Sequence, residues 1–188
     1  IPVDSEHFSI WTLIKDYEFS KIEKVFITAS GGPFLNLGIS KFKNIKPSNA
    51  IKHPNWNMGK KISVDSATLM NKVFEVIEAQ RIFNIPFSKL EIIIHPDSYV
   101  HAIVKFMNGI TKILIHDTNM KIPIFNTLYN NKDYEKLDTN SINFKKINNL
   151  NFVEVNKLKF PSVNIIKKIP DNISLFETVI VSANDTLV

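Results

Sequence analysis

Apolar positions along this chain recur with two different spacings, and the switches between them outline a series of elements. Phe8, Ile10, Trp11 and Ile14 fall on one face of a helix that Asp4 or Ser5 is placed to cap. Lys24–Thr28 (KVFIT) reads as a short buried strand, ended by Ala29-Ser30-Gly31-Gly32-Pro33, where paired glycines permit a tight turn and expose N–H groups. Pro47–Ile51 suits a single helical turn with proline at its start, and His53–Lys61 reads as a loop broken by Pro54 and Gly59. Thr68–Phe83 is the clearest helix: Asn71, Glu75 and Glu78 share a line flanked by Thr68 and Lys72, while Leu69, Met70, Val73, Val76 and Ile77 cover the opposite side. Leu90–Ile94 is a second buried strand. Tyr99–Phe106 and Ile110–His116 flank Asn108-Gly109, which predicts a hairpin closed by a type I′ turn. Pro123–Tyr129 reads as a short helix, Asn130–Asn151 as a connector rich in Asn, Lys and Asp, and Phe152–Ile169 as irregular chain with apolar anchors such as Phe160. Separate helices beside an antiparallel hairpin indicate an α+β fold: a mixed, largely antiparallel sheet with helices packed on one face.

With 188 residues, 44% of them hydrophobic, the chain can bury a sizeable core, and no apolar run is long enough to span a bilayer. It is expected to be soluble. Cysteine is absent, which excludes disulfides, thiolate catalysis and zinc–sulfur sites. The formal charge of +5 comes almost entirely from scattered lysines, and Arg81 is the only arginine. A nucleic-acid reader would cluster arginine with aromatics on one surface, so the basic balance is read as codon bias rather than as a nucleic-acid site. Both ends lack the polar texture of natural termini, and Ser182–Val188 looks like the opening of a helix. The chain is therefore expected to be a segment of a longer protein.

Several residues can carry chemistry, and each has a plainer alternative. The carboxylates of Asp4 and Glu6, two apart, project the same way from an extended segment and would offer hard oxygens to Mg²⁺ or Mn²⁺; taken alone, the pattern is more often a helix cap with a first-turn acid. Ser30-Gly31-Gly32 can seat a phosphate or simply end a strand. Ser66 or Asp65 can cap the long helix, whose N-terminus would favour an anion. Glu75 can be a third metal ligand with Lys72 neutralising an oxyanion beside it, or the stripe can be a solvated face. His101 in mid-strand is as readily a core residue as a ligand, and Trp56 is unusual in a loop.

Taken together, these segments resemble a known family. The run HPNWNMGKKISVDSATLMNKVFEVIE from His53 to Glu78 is strongly similar to the signature of the 1-deoxy-D-xylulose 5-phosphate reductoisomerases. PVDSEH (Pro2–His7), SGGPF (Ser30–Phe34) and IHPDSYVH (Ile94–His101) follow in the family's order and approximate spacing, and Ser182-Ala183-Asn184-Asp185 looks like a variant of a later family stretch. The resemblance implies a divalent metal (Mn, Mg or Co) on Asp4, Glu6 and Glu75. It implies that Ser5, Ser30, His53, Trp56, Ser66, Asn71, Lys72 and Glu75 bind substrate, and that Glu6, Lys72 and His101 serve catalysis. It also implies that His53–Gly59 is a flexible loop over the active site, with Met58, Gly59 and Met120 near the nicotinamide of NADPH.

The implied activity is NADPH-dependent, metal-dependent conversion of 1-deoxy-D-xylulose 5-phosphate to 2-C-methyl-D-erythritol 4-phosphate in non-mevalonate isoprenoid synthesis. The implied partner is this small phosphosugar, not nucleic acid or membrane, in a homodimer when the protein is full length. A bacterial cytoplasmic location is expected, or a plastid for a eukaryotic source. The alternatives are a non-catalytic phosphosugar-binding module or a Mg²⁺-dependent sugar phosphatase. The expected layout is a catalytic domain over residues 1–129, a connector over 130–170, and the start of a C-terminal region over 171–188. The family's Gly-rich nucleotide-binding domain and terminal helical bundle are missing, so the chain alone is expected to be inactive. Val73-Phe74 stands where the family usually has Gly-Leu, Asn119 where Asp is common, and Asn130-Asn131 where Trp-Pro is usual.

Overall fold

A computed structural model describes residues 1–53, 58–129, 136–172 and 174–188. In chain order its elements are α1 (Ser5–Ile14), β1 (Ile22–Ala29), α2 (Pro47–Ala50), α3 (Lys60–Ala67), α4 (Met70–Phe83), β2 (Leu90–Ile94), β3 (Val100–Phe106), β4 (Thr111–Ile115), α5 (Lys121–Tyr129), α6 (Phe144–Asn148), β5 (Val153–Glu154) and α7 (Phe176–Leu187). The strands form one mixed sheet in the order β4-β3-β1-β2-β5. Only β1 and β2 run parallel; the other three pairings are antiparallel.

The two-residue period of the strands decides which face is buried. Val25 and Ile27 of β1 lie opposite Leu90 and Ile92 of β2 on one side and Val104 and Ala102 of β3 on the other. These side chains are buried, and they pack in one core with Ile10, Leu13 and Ile14 of α1 and Val73, Val76, Ala79 and Phe83 of α4. The two helices that carry the candidate carboxylates are thus held against the same face of the sheet. The opposite face presents a row in which Phe26 pairs with Ile103 and Ile103 with Ile113, the last 42% exposed. Two ion pairs, Lys24–Glu91 at 3.1 Å and Lys105–Glu23 at 2.6 Å, lie near one end of the sheet.

The structure departs from the sequence-based expectation at several places. The long helix starts at Met70, and the segment before it is a separate helix, α3. Leu69 breaks them apart with φ 59°, a left-handed conformation costing about 1–2 kcal/mol for a non-glycine residue. Burial of its side chain in the core offsets that cost. Asp65 and Ser66 therefore lie inside α3 rather than capping α4. The hairpin turn is not type I′, since Gly109 has positive φ (85°) and Asn108 does not. Gly109 N bonds to Phe106 O at 2.9 Å and Phe106 N to Ile110 O at 2.8 Å, a three-residue loop ending in a left-handed glycine. Val153-Glu154, within the stretch expected to be irregular, adds an edge strand to β2 at Ile93 and Ile94. Phe160, Val163 and Ile169 reach into the main core. Ser182–Asp185 falls late in α7, not at a helix opening.

Candidate functional site

Asp4 is the N-cap of α1. Its Oδ1 accepts from the backbone N–H groups of Glu6 and His7, each at 3.0 Å. Ser5 already begins the helix, so Asp4 and Glu6 converge around a helix N-terminus and not from the extended segment that their spacing suggested. Glu75, buried in the middle of α4, meets them from the other helix. One ligand atom from each of the three carboxylates lies within 4.8 Å of the others. The cap and the acidic cluster are compatible roles of one residue.

Electrostatics makes this cluster unusual. Lys72 Nζ donates to Glu6 and, at 2.9 and 2.7 Å, to both oxygens of Glu75. Asn71 Nδ2 donates to Glu75 Oε1 at 2.5 Å, and Ser5 Oγ donates to Glu6. Burial raises the Glu6 carboxyl, but the Lys72 ammonium outweighs it, with help from His101 and Ser5, and holds it at about 2. Burial would lower the Lys72 ammonium, yet the Glu6, Glu75 and Asp4 carboxylates raise it instead. Glu75 is pushed well above the carboxylate range by burial and by Glu6, and Asp4 is raised by the same two causes. One ammonium cannot neutralise three carboxylates, so Glu75 holds its proton and Asp4 is shifted toward holding one, while a bound cation would release those protons and take their place. Hard oxygens so arranged fit a divalent cation of the Mg²⁺ or Mn²⁺ type.

Beside the carboxylates lies a polar cradle. Ser30 follows β1, with its Oγ 3.0 Å from His53 Nε2 and accepting from Gly32 N at 3.2 Å. Gly31 and Gly32 both have positive φ, and a Cβ on Gly32 would sit 2.7 Å from the Ser66 carbonyl oxygen. The glycine thus lets the Ser30 turn press against the end of α3. Burial, with Lys72 nearby, lowers the His53 imidazole. At the end of the sheet, His101 and His116 stack with ring centroids 3.7 Å apart, and His101 Nε2 donates to the His116 carbonyl at 3.1 Å. Burial, together with His116, lowers the His101 imidazole to about 4, so the ring is neutral near pH 7.

One cavity of about 340 Å³ gathers these groups. Asp4, Ser5, Glu6, Ser30, His53, Ser66, Asn71, Lys72, Glu75 and His101 all line it, with Met58 and Met120 supplying apolar wall. Gly59 instead caps the start of α3 and lines the adjoining cleft, and Trp56 lies outside the described residues. Sequence reasoning missed Thr28, Ile62 and Ser98, which also line the cavity. Ser98 carries a positive φ of 51°, a strained conformation that nothing in its sequence marks. It also missed His7, 1% exposed, whose Nε2 donates to the Glu75 carbonyl at 2.9 Å and whose Nδ1 lies 3.2 Å from Asp4 Oδ1. Its place directly after Glu6 was the available signal.

Residues 1–83 match the family described as 1-deoxy-D-xylulose 5-phosphate reductoisomerase C-terminal domain. The 1-deoxy-D-xylulose 5-phosphate reductoisomerase of Pelagibacter ubique (strain HTCC1062) is 58% identical over all 188 residues, which make up 48% of that protein. The enzyme of the same name from Persephonella marina is 50% identical over 123 residues, 65% of this chain and 33% of the relative. The chain thus spans about half the length, or less, of the relatives it matches. Among solved structures, the reductoisomerase from Zymomonas mobilis in complex with NADPH superposes with a TM-score of 0.85 at 31% identity, covering all of this chain and 50% of that one. A DOX-P reductoisomerase in complex with NADPH, fosmidomycin and magnesium superposes with a TM-score of 0.79 at 32% identity, covering 89% of this chain and 43% of that one.

Proposed function

We propose that the chain is part of a 1-deoxy-D-xylulose 5-phosphate reductoisomerase and that its cavity is the site where that phosphosugar is rearranged and reduced to 2-C-methyl-D-erythritol 4-phosphate, a step of non-mevalonate isoprenoid synthesis. The observation that carries this reading is the meeting of Asp4, Glu6 and Glu75 with a Ser30, His53, Ser66, Asn71 and Lys72 cradle in one cavity. The magnesium and fosmidomycin named for one structural relative suit the carboxylates and the cradle, and the NADPH named with them suits the apolar wall at Met58 and Met120.

Asp4, Glu6 and Glu75 would hold the divalent cation, which supplies positive charge where substrate oxygens become negative during carbon–carbon cleavage and rejoining. NADPH supplies the hydride for the reduction. Ser30, His53, Ser66 and Asn71 bind the phosphate and hydroxyls, and this binding energy orients the fragments although the phosphate does not react. Lys72, fixed at the start of α4, stabilises developing oxyanion charge beside Glu6. Ser5 and the neutral His101 line the reacting end, with Met58, Gly59 and Met120 toward the nicotinamide.

In the proposed layout, residues 1–129 are the catalytic domain, 130–170 a connector and 171–188 the beginning of a C-terminal region. The working protein is a cytoplasmic homodimer. The apolar row Phe26, Ile103 and Ile113 on the outer sheet face supports pairing with a second copy.

The test uses the protein expressed from its complete reading frame, with 1-deoxy-D-xylulose 5-phosphate, Mn²⁺ or Mg²⁺, and NADPH oxidation followed in the near ultraviolet. Metal-dependent oxidation that falls about a hundredfold or more in Glu75→Gln is expected. A folded wild type that oxidises no NADPH would overturn the reading, and release of inorganic phosphate in its place would assign a phosphatase.

A further inference from the structure

Asp65 is a buried acid that the proposed chemistry does not use. It lies one residue before Ser66, on α3, and is 3% exposed. Its Oδ2 accepts from Lys61 Nζ at 2.8 Å, and its Oδ1 accepts from Asn184 Nδ2 at 2.8 Å. Asn184 belongs to α7, 119 residues away in sequence. Lys61 Nζ also pairs with Asp185 Oδ1 at 3.0 Å, but both of those side chains are about half exposed. Exposed pairs of that kind contribute little, whereas a buried carboxylate that loses a partner is left with an unsatisfied oxygen. The Asp65–Asn184 bond is therefore the buried polar contact from α7 to the end of α3, while Arg81–Glu177 ties the start of α7 to α4.

That end of α3 is gripped from the other side as well. The Gly32 backbone presses on the Ser66 carbonyl, in a gap that would leave a Cβ only 2.7 Å away. Ser66 sits between the two constraints with its side chain at the cavity, in line with Ser30, Asn71 and Lys72. Immediately after it, Leu69 holds its left-handed turn and α4 begins. A shift of α3 would thus displace Ser66 relative to the α4 residues that complete the cradle.

We propose that Asn184 and Asp65 are positioning residues for the phosphate cradle, with α7 setting the placement of Ser66 through the Asp65 carboxylate. The inference rests on the phosphosugar reading above. It predicts a defect in binding the phosphosugar and not in turnover of bound substrate, since neither side chain lines the cavity.

The experiment again uses the full reading frame and measures steady-state constants, direct binding of 1-deoxy-D-xylulose 5-phosphate by calorimetry without NADPH, and thermal midpoints. Asn184→Ala and Asp65→Asn are each expected to raise KM and Kd about tenfold with kcat held within about threefold, the scale of one misplaced hydrogen-bonding group. Asp185→Ala, which removes the exposed partner, is expected to leave KM within about twofold. The double variant Asp65→Asn with Asn184→Asp reverses the direction of the bond and is expected to recover most of the binding, a rescue that general destabilisation would not produce. Unchanged KM and Kd in folded Asn184→Ala, or no rescue by the double variant, would overturn the proposal. Wild type that binds the phosphosugar without turnover would instead sink the functional reading and leave the positioning role measurable by Kd.

Discussion

The Lys72 ammonium lies 2.7 Å from Glu75 Oε2, three residues further along α4, and it bonds at the same time to Glu6 on α1. The lysine thus occupies part of the electrostatic place that a divalent cation would take. Replacing it by methionine should have opposite effects on two ligands. Mn²⁺ affinity, read by the free-ion EPR signal, is expected to rise roughly tenfold as a competing charge is removed, while KM for the phosphosugar rises by at least as much. A fall in Mn²⁺ affinity in Lys72→Met would show that the lysine supports the metal site instead of competing with it.

His7 links the two helices that bear the carboxylates, through the Glu75 carbonyl at 2.9 Å and Asp4 Oδ1 at 3.2 Å. His7→Leu keeps the volume roughly but removes a second donor from a carbonyl that keeps its own helix bond, and with it the contact to Asp4, at a cost of about 1 kcal/mol. A lower urea midpoint together with weaker Mn²⁺ binding is the expected outcome. Loss of stability with metal affinity intact would limit His7 to a packing role.

Burial and the neighbouring His116 lower the His101 imidazole from 6.5 to about 4. Between those values the unfolded chain holds more protons than the folded one, so this group's contribution falls as pH drops from 6.5 toward 4. From pH 7 to pH 5 the loss is about 2 kcal/mol. Asp4, Glu75 and Glu78, whose carboxyls are raised, act with the opposite sign above pH 4.5, so the comparison must be with a variant. His101→Gln should lose less stability than wild type over that interval in urea titrations. Parallel curves for the two proteins would contradict a depressed imidazole.

Gly32 and Gly59 make a matched pair. A Cβ on Gly32 meets the Ser66 carbonyl oxygen at 2.7 Å with φ at +64°, while a Cβ on Gly59 meets nothing within 4 Å and its φ is −60°. Gly32→Ala is expected to cost about 1–3 kcal/mol and to raise KM for the phosphosugar. Gly59→Ala should leave the thermal midpoint unchanged or slightly higher. Equal tolerance of both would mean that the Ser30 turn can back away from α3.

The outer sheet face gives a test of assembly. Ile113 is 42% exposed and pairs with Ile103 across β3 and β4. Ile113→Glu places a charge at the β4 end of the apolar row and is expected to turn a dimer into a monomer by sedimentation velocity. A dimer unaffected by that charge would place the contact elsewhere.

Much of this protein was legible before any coordinates. β1 to β4, α1 and the short helix α5 follow from local spacing of apolar residues, because a strand or helix advertises its buried face within a few positions. Most of the residues that gather in the cavity were singled out through their motifs, PVDSEH, SGGPF and the His53–Glu78 run, whose combined specificity exceeds that of any one residue. Local pattern did not reveal the break at Leu69, since one reversed φ leaves the apolar face on both sides intact. It likewise missed β5, two exposed residues whose strand character comes only from the ladder they complete on β2.

By itself the sequence determined which residue types stand at which spacing, and so which faces are apolar and which motifs are present. Motif resemblance implied that Asp4, Glu6 and Glu75 come together; only the tertiary structure decided that they do so around the N-terminus of α1, that Lys72 is shared between Glu6 and Glu75, and that Asn184 reaches Asp65. The physical reason is that charge and hydrogen-bonding contacts act over a few ångströms between residues tens of positions apart, 66 for Lys72 and Glu6 and 119 for Asn184 and Asp65. Such distances are set by how α1, α3, α4 and α7 pack together.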